Sequence, residues 1–233
     1  ELKKWEELAT FYERVIITNP TVEFIEETAD IYYKYLNNFE RAFDLYEQIL
    51  DSTENRLKVL TNLETIYEKL ENYERLVFIL EEKFELLKSE GDKVGVIEII
   101  FKLGKLYIER VAQFDRASKM FSMLLKAKYA ADKLIKYLEQ FIDNNEVLPY
   151  ISETLDALYN DKGEWNSLIR LYLKQLETSD SDNEVSLNVK IAQIYLENLK
   201  NSNESLIYYD KVFGLTQNNE YLVKIEEITE NLR

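Results

Sequence analysis

The sequence contains no histidine and no cysteine. The first absence removes the commonest general base and metal ligand near neutral pH; the second removes disulfides, zinc-thiolate sites and thiol nucleophiles. Most familiar catalytic constellations are excluded, and neither an enzyme nor a cofactor is expected. Turn residues are scarce as well. Five Gly and two Pro in 233 residues argue against strand-rich sandwiches and barrels, which need frequent turns. Positive charge is in deficit, with 29 Lys+Arg against 44 Asp+Glu and a net charge of -15. Such a chain repels a phosphate backbone and an anionic membrane alike, so neither direct nucleic-acid binding nor membrane association is expected. There is no signal-peptide pattern and no run of about 18 apolar residues; the compartment stays open, with the cytoplasm favoured. What is present is buriable surface: 46% hydrophobic residues, including 17 Tyr and 11 Phe, too much for a disordered chain.

That surface is periodic. Trp5, Phe39 and Tyr73 stand 34 residues apart, and each opens a helical segment: WEELATFYERVI, FERAFDLYEQIL and YERLVFILEEKF. Three residues on come Leu8, Ala42 and Leu76; seven on, Tyr12, Tyr46 and Leu80; eleven on, Ile16, Leu50 and Phe84. These offsets share one helix face. The template continues with Phe114, Ala117, Phe121 and Leu125, then Trp165, Leu168, Tyr172 and Leu176, then Ser202, Ser205, Tyr209 and Phe213. Six or seven residues ahead of five openings stands another tyrosine (Tyr32, Tyr67, Tyr107, Tyr159, Tyr195), closing a preceding amphipathic helix before a short polar turn. Each unit is thus two antiparallel helices.

These residues resemble the tetratricopeptide repeat family. Leu103-Gly104 with Tyr107, Phe114, Ala117 and Phe121 is the nearest match; Ala29, Tyr32, Phe39, Ala42 and Tyr46 make another, and Ala192 with Tyr195 a third. The units are also similar to those of long bacterial repeat proteins. The resemblance covers essentially the whole chain and implies an all-α, right-handed α-solenoid of antiparallel hairpins, about thirteen helices in a single 1–233 array; the first helix, around Trp5, has no partner before it, as expected of an array cut from a longer one or of an end that another molecule covers. Glu64 and Asp156 stand where the family has a small residue, and Leu76 and Leu168 replace its alanine, so those hairpins are expected to pack more openly. The 51 residues from Phe114 to Trp165 leave room for one further helix, placed at roughly 131–142, with a bend or subdivision of the array near 128–147.

Function in such an array is expected from the face lined by the first helix of each hairpin. The resemblance implies protein or peptide binding there, and the basic carboxylate clamp of chaperone-binding relatives is missing. Instead the face mixes acidic and apolar residues, with Glu26, Asp30, Tyr33, Phe101, Lys105, Tyr150, Gln193 and Leu196 as candidate partner-contacting positions. Glu153, Ala157 and Val189 lie in the same rows. A basic or amphipathic partner suits this mixture, and self-association through exposed end helices is a further expectation. The alternative is a scaffold resembling the half-a-tetratricopeptide family of RNA-processing assemblies, acting through protein partners, since ERAFDLYEQIL and DRASKMFSMLL are similar to that family's second helix. Other motifs carry less. Asp180-x-Asp182-x-Glu184 lacks the glycine and closing glutamate of a calcium loop and reads as a solvated loop. Neighbouring glutamates such as Glu26 and Glu27 point about 100° apart on a helix and converge on nothing.

Overall fold

The computed structural model describes residues 2–232. Among them are thirteen α-helices and no strand: α1 (Leu2–Thr18), α2 (Val22–Lys34), α3 (Phe39–Ile49), α4 (Arg56–Lys69), α5 (Tyr73–Glu90), α6 (Lys93–Glu109), α7 (Phe114–Lys126), α8 (Ala131–Leu138), α9 (Leu148–Lys162), α10 (Trp165–Leu176), α11 (Ser181–Gln193), α12 (Ser202–Thr216) and α13 (Asn219–Glu230). The chain divides into two compact units between Gln113 and Phe114. In the first unit, each helix from α1 to α5 packs on its successor. In the second, α7 packs on α9, and α9 to α13 again pack in succession. The additional helix expected from the long spacing is α8, continued by a 3-10 turn over Glu139–Phe141. It buries Leu134, Ile135, Tyr137 and Leu138.

The hairpin turns explain how so few glycines suffice. Asn37, Glu71, Ala112, Gly163 and Lys200 all adopt φ between 50° and 68°, each two residues before a second helix opens. One left-handed residue is what lets the chain leave a helix and reverse. The amide that follows, of Asn38, Asn72, Gln113, Glu164 and Asn201, donates at 2.7–3.0 Å to the carbonyl of Tyr32, Tyr67, Tyr107, Tyr159 and Tyr195 respectively. The recurrent tyrosines therefore mark helix ends with their backbones as well as filling the core. Asn38, Asn72 and Asn201 then cap the second helix, each accepting from the amide three residues on at 3.1–3.2 Å, which satisfies one of the otherwise orphaned N–H groups.

The small-residue positions hold the close approaches. Ala29 and Ala42 are fully buried in the α2–α3 pair. In the α11–α12 pair Ser205 takes the alanine position and donates its hydroxyl to the Ala192 carbonyl at 2.9 Å, so its burial leaves no polar atom stranded. Where Leu76 and Leu168 replace the alanine they are still only 2% and 1% exposed, and Glu64 is drawn into an ion-pair cluster. The stretch 178–183 is likewise less loop-like than its composition. Asp180 caps α11 by accepting from the Asn183 amide at 2.9 Å, and the helix begins at Ser181.

Candidate binding face

The first helices of the hairpins are α2, α4 and α6 in the first unit and α9 and α11 in the second. Three of their closing tyrosines are buried, and a buried hydroxyl costs free energy unless bonded. Tyr67 donates to Glu47 at 2.6 Å, Tyr107 to Glu81 at 2.7 Å and Tyr159 to Glu139 at 2.8 Å. Each bond ties a first helix to the segment before it. Burial, followed by the neighbouring carboxylate, pushes the Tyr67 and Tyr159 hydroxyls well above the ordinary tyrosine range. Part of the chain's excess acid is thus structural, accepting from core tyrosines.

On the first unit's face, lysines close the rows. Lys58 of α4 reaches back to α2, its ammonium 2.7 Å from Glu26 and 2.9 Å from Asp30. Glu26 is buried and also accepts from Asn55 at 3.1–3.2 Å and from Thr53 at 3.2 Å. Burial alone would raise its carboxyl; the bonds from Lys58 and Asn55 more than reverse this and hold it low. Asp30 accepts from Lys34 at 2.7 Å and from the Tyr46 hydroxyl. Its carboxyl is lowered in the same way, burial being outweighed by Lys34, Tyr46 and Lys58. One hairpin on, Lys102 of α6 contacts both Glu64 and Glu68 of α4, and Lys83 lies 2.7 Å from Glu64. Burial opposes ionisation of Glu64, and the two lysines overcome it.

The second unit has the same acid in a looser setting. Asp156 accepts from Tyr172 at 2.6 Å and from the Asn160 amide at 2.7 Å, but Lys190 of α11 stands 3.7 Å away, its ammonium 5.0 Å over the Tyr172 ring. Here α9, the C-terminal end of α10 and α11 enclose a cleft of about 640 Å³. Leu148, Ala157 and Leu187 supply apolar lining, and Ser152, Glu153 and Lys190 are among its polar groups. The size lies within the range of ligand-binding sites.

The eight positions expected from the sequence fall as follows. Glu26 and Asp30 are brought together on Lys58. Tyr33 is half-buried, its ring edge-on to Phe39 and Tyr46 at 6.2 and 6.4 Å. Phe101 is half-buried, and Lys105 lines a smaller cleft of about 210 Å³ with Glu68, Tyr73 and Arg110. Tyr150 stands 5.6 Å from the Phe114 ring, Gln193 is exposed at the end of α11, and Leu196 is half-buried in the π-helical turn that follows. None of the eight lines the larger cleft, whereas Glu153 and Ala157 of the same row do. Lys190, Ser152 and Leu187 were missed. For Lys190 a signal existed: it stands one 34-residue period after Asp156, as Lys102 does after Glu68.

The chain is an all-α protein of repeated antiparallel helical hairpins. No family model matches the sequence, and no curated protein does. Solved structures do match, and several are described as tetratricopeptide repeat proteins. YrrB, described as a TPR protein with an unusual peptide-binding site, is 12% identical, with 93% of this chain and 97% of that one covered and a TM-score of 0.34. TTC0263, a thermophilic TPR protein of Thermus thermophilus, is 16% identical over 90% of this chain and 99% of that one, with a TM-score of 0.32. NprR in complex with its cognate peptide NprX is 14% identical over 97% of this chain and 64% of that one, with a TM-score of 0.38. The hairpin assignment rests on this chain's own helices.

Proposed function

We propose that this chain is a protein-interaction scaffold without catalytic activity of its own, and that the first-helix face of its second unit receives a segment of a partner protein. The observation that carries this reading is the cleft of about 640 Å³ between α9, α10 and α11. Its apolar lining gives a ligand somewhere to bury side chains, and its hydroxyls, amides and charges give it orientation. The row through Tyr150, Glu153 and Ala157, with Gln193 and Leu196 beyond, belongs to the same surface. In the first unit the corresponding row, Glu26, Asp30, Tyr33, Phe101 and Lys105, is a second surface for partner contact, with Glu26 and Asp30 entering through the network they form with Lys58.

The test fills the cleft. Ala157→Trp places a large ring in it without removing a core side chain. Partners recovered on the wild-type chain, identified by mass spectrometry, are expected to be lost on the variant while its circular dichroism spectrum stays the same. Equal recovery on both chains would show that the cleft takes no part.

A further inference from the structure

We propose that the ligand of the second unit's cleft is an arginine- or lysine-bearing peptide segment whose cationic side chain is held by Glu153. This deepens the preceding reading and rests on it. The inference comes from the charge of the lining and from which of its groups are already engaged. Ser152 donates its hydroxyl to the Leu148 carbonyl at 2.6 Å, and Ser179 donates to the Leu176 carbonyl at 3.2 Å. Their protons are spent within their own segments, so these cleft-lining hydroxyls face a ligand as acceptors only. Glu153 is exposed, can only accept when ionised, and has neither an ion-pair nor a hydrogen-bond partner among the described residues. Asp156 is engaged with Tyr172, Asn160 and, loosely, Lys190. Two carboxylates against one ammonium leave the lining with one net negative charge.

Neutral donors stand at Gln175, Asn183 and Ser186 and suit a peptide's carbonyls, while the charged group of the lining with no partner among the described residues is the Glu153 carboxylate, which favours a cationic side chain. A guanidinium offers five N–H donors and meets a carboxylate in a two-point fork, and an ammonium offers three donors as a point charge. The apolar lining at Leu148, Ala157 and Leu187 suits a small aliphatic residue beside that cation. The first unit supplies the internal precedent. There the acids at the corresponding rows are already occupied by Lys58 and Lys102, whereas Glu153 has received no lysine from its own chain.

The experiment selects peptides from a randomised heptapeptide display library on the wild-type chain. Those whose binding disappears with Ala157→Trp are retained and measured by fluorescence anisotropy. They are expected to carry Arg or Lys at a shared position. Glu153→Gln should weaken them about tenfold, the scale of one charge-assisted hydrogen-bonded pair. Because a chain of net charge -15 attracts cations everywhere, Glu98→Gln, at an exposed position of α6 that does not line the cleft, serves as the control and should change affinity less than about twofold, as expected for a solvent-screened charge. Cleft-dependent peptides without a shared basic residue, or equal weakening by the two substitutions, would overturn the cation assignment and leave the cleft standing. If no selected peptide depends on the cleft, the binding reading itself fails.

Discussion

The two units treat the same repeat position differently. Glu64 and Asp156 both stand three residues before the tyrosine that closes a first helix, where the family pattern has a small residue. In the first unit two lysines from different helices converge on Glu64 and bury it. In the second, Asp156 is half-buried, bonds to a tyrosine and an asparagine, and meets its lysine only at 3.7 Å. A carboxylate at a tight position is thus accommodated either by internal cations, which close the face, or by neutral donors, which leave a cleft beside it. Whether a face is closed is decided by how near the next hairpin's lysine comes.

The largest expected effect comes from removing Glu64. Its loss leaves Lys83, only 14% exposed, beside Lys102 with no carboxylate between them. Breaking a buried pair in this way costs about 2–4 kcal/mol, toward the low end because Lys102 is partly solvated and keeps Glu68. Asp156→Ala strands only the Tyr172 hydroxyl and should cost about 1 kcal/mol. Urea denaturation of the two variants measures the contrast; equal midpoints would mean that the two acids are held alike.

Acid should separate the units in the same direction. Glu26, Asp30 and Glu64 have carboxyls lowered from their ordinary values of 4.5, 3.8 and 4.5. A lowered folded-state value stabilises the fold above the ordinary value, and that stability is lost as pH falls through the folded one. Between about pH 5 and pH 3, amides of α2 and α4 should therefore lose more hydrogen-exchange protection than those of α9 and α11, after correction for intrinsic rates. In the second unit Asp143 is lowered too, by Lys174 before Arg170, but it is exposed and its pairing is screened by solvent. Uniform loss of protection along the chain would erase the distinction.

The helices and their register were legible in the sequence because each hairpin repeats its own apolar spacing: Ala42, Tyr46 and Phe121 are buried where the template puts them. The extra helix α8 was legible from an arithmetic surplus between Phe114 and Trp165. Three of the five left-handed turn residues were hidden, because Glu71, Ala112 and Lys200 are types that rarely adopt positive φ, whereas Gly163 and Asn37 are types that favour it. The candidate face was legible as rows but not as depth. A buried Glu26 and an exposed Glu153 look alike in sequence, and burial is decided by where Lys58, Asn55 and Thr53 arrive from the next hairpin. Counting acids one period before a lysine would have found Glu68 with Lys102 and Asp156 with Lys190, yet it could not tell a tight pair from one 3.7 Å apart.

The finest test of the comparison uses those lysines. Lys58→Ala removes the cation shared by Glu26 and Asp30, leaving a buried carboxylate dependent on Asn55 and Thr53 and a second acid still bonded to Tyr46 and Lys34. A cost of about 1–2 kcal/mol is expected, below that of a fully buried pair because the lysine itself is partly exposed. Lys190→Ala removes a long, solvated contact and should change stability by no more than about 0.5 kcal/mol. The two differ in salt response as well, because the Lys58 pair is partly shielded from counterions and the Lys190 contact is open to them. Measured by urea denaturation at low and high ionic strength, the Lys58→Ala deficit should persist in salt. If Lys190→Ala were as costly, the second unit's face would be stapled like the first, and the cleft beside Asp156 would depend on that lysine for its shape.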